Sequence, residues 1–249
     1  MKAGINEEST DHQCSSILFT MFLLWGSLKM GLKVILTGAS GMVGEGVLIE
    51  LLQNEQVQSV LVVGRRPCGV THSKMKELLV PDFFKLSENS QDLAGYDACF
   101  YCAGISSNGL SEEEYTKITY DTPLHFAHIL KNLNPNMVFN FVSGAHTDSS
   151  EKGKVMWARI KGKTENDLQK IFAGREYNFR PSLMKPFPQQ KHIYGYNKWV
   201  VRLYGLLKLA FPTLHLQQLA QSMIHVSLHG AKKRVLEAQD IIRAASDAS

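Results

Sequence analysis

The sequence predicts an α/β fold: an open, doubly wound parallel sheet with a small C-terminal helical cap. Three observations lead to it. Short apolar runs bounded by turn signals alternate with stretches of helical periodicity through most of the chain, as when crossover helices join parallel strands. Val34-Ile35-Leu36 then runs into Thr37-Gly38-Ala39-Ser40-Gly41-Met42-Val43-Gly44, so an early strand leads through a glycine turn into a helix. After Pro188 the alternation stops and only helical patterns remain. With 249 residues, 44% hydrophobic and 20% charged, the chain suits one large domain over residues 31–249, with the cap at about 182–249 and an N-terminal extension at 1–30.

The elements are expected in this order. The first strand is about Lys33 to Leu36, and the first helix about Met42 to Gln53, with Val47, Leu48, Leu51 and Leu52 at helical spacing. The second strand is Ser59 to Val63. A helical piece over Ser73 to Leu79 and a weak strand over Asp82 to Leu86 follow. Asp97 to Cys102 is a strand that ends at Ala103-Gly104. Ser111 with Glu114 marks a capped helix entry, and the helical pattern runs on through Ile118 and Leu130 with a kink or restart at Pro123. Met137 to Val142 is a strand ending in Ser143-Gly144-Ala145-His146. A long helix covers Val155 to Ala173, and a short strand, Tyr177 to Phe179, ends in Arg180-Pro181. Helices over Tyr196–Ala210, Leu216–Leu228 and Lys232–Ala245 complete the cap, which is expected over the carboxyl end of the sheet.

The glycine turn carries the clearest chemistry. Gly38 permits the tight turn, Gly41 lets the backbone approach a pyrophosphate, and Gly44 lets helix and strand pack closely. The helix N-terminus adds N–H groups and a positive dipole, so Gly38, Ser40, Gly41, Met42, Val43 and Gly44 form the expected phosphate cradle. An NAD site calls for an acidic residue at the tip of the second strand. Here Gly64 is followed by Arg65 and Arg66, which suit the 2′-phosphate of NADP(H). NADP(H) is therefore expected ahead of NAD(H); the alternative is that both arginines are plain surface. Ala103 and Gly104 are small enough for a cofactor to lie against the end of their strand.

Other classes fit poorly. A net charge of +4, with no dense basic stripe interleaved with aromatics, gives no case for nucleic acid. Four cysteines are too few for a secreted disulfide scaffold. Cys99 and Cys102 match C-x-x-C, but an odd separation along a strand points them to opposite faces, so they read as core. His125 and His128 share a helix face without a recognisable third ligand, and no metal site is expected. The front of the chain holds Glu7, Glu8 and Asp11 with Lys2 as its one basic residue, unlike a secretory signal. The apolar run Ile17 to Trp25 is shorter than the ~20 residues that span a bilayer. It is open to three readings: a helix laid on the domain, a membrane-surface anchor, or a dispensable extension upstream of a functional start at Met30. The last is preferred, and a cytoplasmic location is expected.

With these positions located, the chain resembles the short-chain dehydrogenase/reductase superfamily, in its atypical, epimerase-like branch that includes the Tat-interacting-protein-like oxidoreductases. The resemblance runs from about Lys33 to Ala245. It rests on Thr37-Gly38-x-x-Gly41-x-x-Gly44, Gly64-Arg65-Arg66, Ala103-Gly104, Ser143, Lys161 and Arg180-Pro181. It implies a Rossmann-type domain and hydride transfer between a nicotinamide and a carbonyl or alcohol carbon. By position, Ser143 would orient the substrate oxygen and Lys161 would bind the nicotinamide ribose. The family's proton-transferring tyrosine stands four residues before the lysine, where this chain has Trp157. Indole does not titrate in water and cannot serve as a general acid. Two readings follow: an NADP(H)-dependent oxidoreductase acting on a small molecule through another proton donor, with His146 the nearest titratable group, or a catalytically silent NADPH-binding sensor. Tyr194 and Lys198 repeat the Y-x-x-x-K spacing but lie past the expected helix and read as coincidence. Many relatives form homodimers through helices flanking the sheet.

Overall fold

A computed structural model describes residues 31–87, 90–193 and 213–248. All of these but Gly31 belong to one compact unit, Leu32–Ser249. The strands are β1 (Leu32–Thr37), β2 (Val57–Gly64), β3 (Met75–Leu79), β4 (Ala98–Tyr101), β5 (Val138–Val142), β6 (Glu176–Arg180), β7 (Leu183–Lys185), β8 (Thr213–His215) and β9 (Val235–Glu237). The helices are α1 (Met42–Gln53), α2 (Glu112–Thr116), α3 (Thr122–Leu133), α4 (Met156–Phe172), α5 (Leu216–His229) and α6 (Ala238–Ser246). Seven strands form one parallel sheet in the order β3-β2-β1-β4-β5-β6-β9, and β7 and β8 form a small parallel pair. The order turns back on itself between β1 and β4. In an open α/β sheet, a ligand crevice lies at such a point, beyond the carboxyl ends of the strands.

The period-two alternation of each strand divides the core between two faces. Val34, Leu36, Val60, Val62 and Phe100 face α1 and α5, against Leu48, Leu51, Leu219 and Met223. Ile35, Leu61, Val63, Cys99, Phe139 and Phe141 face α3 and α4, against Phe126, Leu130, Leu168 and Phe172. Burial on both faces explains why β1 reads as a continuous apolar run rather than an alternating one. Each such side chain contributes about 2 kcal/mol by leaving water. Gly46 lets α1 and α5 meet closely, since a Cβ there would lie 2.8 Å from Leu216 Cδ1.

The capped entry at Ser111 is present as a full capping box with Glu114. One π-helical stretch, Lys117–Asp121, follows, and α3 restarts with Pro123 in its first turn, where a missing N–H does no harm. Three expectations need correction. Met75–Leu79 is a strand, not part of a helix: it pairs with β2 from Val60↔Met75 to Gly64↔Leu79, and Glu77 Oε1 accepts the Cys68 N–H at 2.8 Å. Pairing and this tether override the helical propensity of Lys76 and Glu77. Asp82 to Leu86 is not a strand but a 3-10 turn, Phe83–Lys85, capped by the Asp82 side chain. Lys232 to Ala245 is not one helix: Val235–Glu237 joins the main sheet beside β6 before α6 begins. Among the described residues, the C-terminal stretch thus supplies α5 to a helical layer and β9 to the sheet edge, rather than helices alone.

The expected helix Tyr196–Ala210, the pair Tyr194 and Lys198, and the whole of 1–30 lie outside the described residues. Among the described residues no helix is long and apolar enough to cross a membrane.

Candidate functional site

The carboxyl ends of β1, β2 and β4 enclose a cavity of about 450 Å³. Its floor is backbone. Gly38 has φ 77°, and a Cβ on it would sit 2.7 Å from the Cys102 carbonyl carbon and the Ala103 nitrogen. Both conditions require glycine. Thr37 Oγ1, fully buried at the end of β1, accepts the Ala103 N–H at 3.2 Å and ties the two strand ends together. A Cβ on Gly44 would come within 2.1 Å of the Gly38 carbonyl oxygen, so only glycine lets α1 pack against its own turn. Gly41 differs: it is exposed, and a Cβ there would have its nearest neighbour at 3.4 Å. Among the described residues nothing forbids a side chain at Gly41. What the missing side chain leaves is open approach to the start of α1, whose N-terminus no side chain caps. A helix end of this kind offers free N–H donors and a positive dipole to an anion.

Gly38, Ser40, Gly41, Arg65, Arg66, Ala103 and Gly104 all line this cavity. Met42, Val43 and Gly44 form the first turn of α1 beside it. Arg65 and Arg66 are exposed, and neither guanidinium has a hydrogen-bond or ion-pair partner among the described residues. Their loop is held by Val80 N–H donating to the Gly64 carbonyl at 2.8 Å and by the Glu77 tether at Cys68. Sequence reasoning did not single out Lys117, which the π-helical stretch presents to the same cavity. A change of helical period leaves no mark in hydrophobic spacing, so the sequence held no signal for it. The uncapped helix end, the glycine floor and the unpaired cations fit a phosphorylated nucleotide.

Cys99 and Cys102 take opposite sides of the sheet, Cys99 in the core against α3 and α4 and Cys102 against the other core. Burial pushes both thiols above the usual range. His125 Nε2 lies 3.3 Å from the Leu86 carbonyl.

Ser143 and Lys161 lie outside the cavity lining, at the end of β5 and on α4. Ser143 is 7% exposed, and its N–H donates to the Phe179 carbonyl at 2.8 Å. Its hydroxyl lies 3.0 Å from Thr147 Oγ1, which in turn donates to the Gly144 carbonyl at 2.8 Å. The Trp157 ring reaches this loop: a Cβ on Gly144 would be 3.8 Å from Trp157 Cζ3. Lys161 follows one turn later, on the same face of α4. It is half-buried and makes no hydrogen bond or ion pair among the described residues. Burial pushes its amine down to about 8, and nearby Glu165 opposes the shift only in part. Glu165 is occupied elsewhere: it takes two hydrogen bonds from Arg180, from Nε at 3.0 Å and from Nη2. Arg180 Nη1 also meets Glu237 at 3.4 Å, so Arg180 locks α4 to β6 and β9. His146 is exposed, with φ 67°.

A strap near the glycine turn also went unread in the sequence. Gln190 Nε2 donates to the Met42 carbonyl at 2.6 Å, and Glu45 accepts the N–H groups of Lys191 and His192 at 2.8 and 2.7 Å. An acid in the first turn of α1 is an ordinary helix feature, and nothing in the sequence marked its distant partners.

The comparisons agree with this geometry. The model of the NAD dependent epimerase/dehydratase family matches residues 34–165, more than half of the chain. Protein HTATIP2 from Rattus norvegicus is 27% identical over 168 residues, covering 66% of this chain and 68% of that one. Protein FMP52, mitochondrial, from Meyerozyma guilliermondii is 24% identical over 213 residues, covering 81% and 88%. The solved UDP-glucuronic acid 4-epimerase from Bacillus cereus in complex with NAD superposes with a TM-score of 0.59 at 14% identity, covering 83% of this chain and 76% of that one. At that identity the likeness is one of fold. NAD(P) binding is typical of the family whose model matches. From strand order, glycine turn and family match together, the chain belongs to the NAD dependent epimerase/dehydratase family.

Proposed function

We propose that the protein is an NADP(H)-binding oxidoreductase that acts on a small carbonyl or alcohol compound. The observation that carries this reading is the pair of unpaired guanidiniums, Arg65 and Arg66, beside a glycine turn and an uncapped helix end. In this reading Gly38, Ser40, Gly41, Met42, Val43 and Gly44 hold the pyrophosphate. Arg65 or Arg66 pairs with the 2′-phosphate, and Ala103 and Gly104 admit the nucleotide against β4. The bound nicotinamide would supply hydride chemistry. Lys161 fixes the ribose; its amine makes no hydrogen bond or ion pair among the described residues, which supports that contact. Ser143 orients the substrate oxygen, and the ring of Trp157 walls off the loop that carries it. NAD(H) would bind more weakly, for want of an acid to take the ribose hydroxyls. The reading needs a small-molecule substrate and no nucleic acid, places the protein in the cytoplasm, and leaves a homodimer and the first thirty residues to be tested with the full chain.

The test is turnover. Oxidation of NADPH, or reduction of NADP, is followed across a panel of carbonyl and alcohol compounds. Activity with one member that falls at least about tenfold in Ser143→Ala, the loss of one interaction made in the transition state, supports the reading. Tight nucleotide binding without turnover on the whole panel supports a second reading, a redox-sensing binder. One observation favours that second reading: Trp157 occupies the proton donor's place and cannot ionise.

A further inference from the structure

Two hydroxyls at the end of β5 carry one proton each, and counting those protons fixes how Ser143 faces the site. Thr147 Oγ1 lies 2.8 Å from the Gly144 carbonyl oxygen. The same oxygen accepts the Thr147 N–H at 3.2 Å. A carbonyl has no proton to give, so in the 2.8 Å contact Thr147 is the donor, and a proton used there is not available to Ser143. The contact between Ser143 Oγ and Thr147 Oγ1 at 3.0 Å therefore takes its proton from Ser143. Both side chains are buried, Ser143 at 7% and Thr147 at 6% exposure, so water does not readily replace either bond. The Ser143 backbone is held as well, through its N–H to Phe179. With its proton turned toward Thr147, Ser143 has only lone pairs left for a ligand.

We infer that Ser143 meets its ligand as a hydrogen-bond acceptor, and that Thr147 is the positioning residue that makes it so. The ligand this arrangement selects bears a hydroxyl, a secondary alcohol for instance, rather than a bare carbonyl. An alcohol O–H donates to the Ser143 oxygen with nothing rearranged. A carbonyl oxygen needs the Ser143 proton, and gains it only when Thr147 turns from Gly144 to supply Ser143 or leaves Ser143 unsupported. Nearby, the Trp157 ring lies over the same loop and its indole N–H has no partner among the described residues. It can donate to a ligand but cannot accept, so the acceptor role falls on Ser143. The assignment of the ligand to this face of the site rests on the oxidoreductase reading above; the direction of the two protons does not.

Two measurements test it. Neutron diffraction from deuterium-exchanged crystals of the full chain locates the hydroxyl deuterons. The expected result is a Ser143 deuteron aimed at Thr147 Oγ1 and a Thr147 deuteron aimed at the Gly144 oxygen. A Thr147 deuteron aimed at Ser143 overturns the inference. The second measurement compares cyclohexanol with cyclohexanone by ligand-observed NMR on the NADP(H)-saturated protein. Wild type is expected to favour the alcohol roughly fivefold, the worth of one ordinary hydrogen bond. Thr147→Val, which frees the Ser143 proton, reverses the preference, and Thr147→Ser retains that of wild type. Equal weakening of both ligands in both variants shows Thr147 to be packing only and contradicts the positioning role. Where neither compound binds, the deuteron positions decide. A failed nucleotide titration with deuterons placed as expected sinks the oxidoreductase reading and leaves the proton arrangement standing.

Discussion

The two halves of the site are made of different material. The half under β1, β2 and β4 is built from missing side chains: Gly38 and Gly44 are forced by backbone contacts, and Gly41 leaves the helix start open. The half at β5 and α4 is built from side chains whose protons matter: Ser143 held by Thr147, an unpaired Lys161, and Trp157 over Gly144. The first half keeps the whole pattern that a nucleotide demands. The second keeps two of three expected groups and replaces the one that moves a proton. The proposed pyrophosphate contacts and the proposed substrate contacts thus fall on different halves, with Lys161 in the second half serving both, and the variants below separate them.

The largest effect is expected in the first half. Gly44→Val places a Cβ 2.1 Å from the Gly38 oxygen. It should destabilise the fold by more than about 3 kcal/mol in urea unfolding. Gly41→Val, with its nearest neighbour at 3.4 Å, should stay within about 1 kcal/mol of wild type yet abolish nucleotide binding. Equal stability losses in the two variants would break the distinction between a glycine kept for packing and one kept for a ligand.

Behind the second half, β6 carries two buried charged residues on the α4 side with opposite fates. Arg180 is paired with Glu165. Glu176 is fully buried, its carboxylate oxygens find no well-formed hydrogen bond among the described residues, and burial with Glu165 nearby pushes its carboxyl up to about 9, Asn178 and Arg234 opposing the rise only in part. Below the ordinary carboxylate value of 4.5, both folded and unfolded chains hold this proton and it contributes no pH dependence. As pH rises from 4.5 toward 9, the unfolded chain releases the proton and the folded chain does not, so wild type loses stability. Glu176→Gln removes that loss. At about pH 8 it should be more stable than wild type by several kcal/mol in denaturant titration, the gap shrinking by about 1.4 kcal/mol per pH unit and closing by about pH 4. A gap that is constant with pH would refute the protonated carboxyl.

Lys161 gives a smaller effect of the same origin. Its folded amine, at about 8, lies below the ordinary 10.5, so burying the charge costs stability below pH 8 and the cost fades as pH rises to 10.5. Lys161→Met should raise the melting temperature at about pH 7 by a few degrees, on the order of 1 kcal/mol, and weaken NADPH binding about tenfold, which calorimetry reads. A gain in both would remove Lys161 from the binding role. Smallest is Trp157→Tyr. Stability and nucleotide affinity should change by less than about 1 kcal/mol, while turnover on the panel rises if the missing proton donor is what limits the second half. Unchanged turnover would favour the sensor.

How far the sequence could be read follows the same division. Apolar runs named β1, β2, β4 and β5 because these central strands are buried on both faces. The edges escaped: β3 is half exposed with Lys76 and Glu77 inside it, and β9 is three residues long, so each exists through its partner's hydrogen bonds rather than its own pattern. Gly38, Gly41 and Gly44 were legible as a turn because three missing side chains at fixed spacing between a strand and a helix mark a close backbone approach, which the contacts at Gly38 and Gly44 bear out. The place of Arg65 and Arg66 at a strand tip was legible, and both line the cavity; the 2′-phosphate role stays a proposal. Thr147, Lys117 and the Glu45 strap were not. A threonine four residues past a serine, or a lysine at the start of a π-helical stretch, has no periodic signature until the chain has folded around it.

The central claim is a phosphorylated nucleotide at the mouth of the sheet, and isothermal titration of the full chain with NADPH, NADP, NADH and NAD tests it most directly. Binding of NADPH at least about tenfold tighter than NADH, reduced to parity in Arg65→Gln/Arg66→Gln, is the predicted result, an advantage in line with one charge-assisted pair. Absence of heat with all four nucleotides, or equal affinity for NADPH and NADH in wild type, would contradict it.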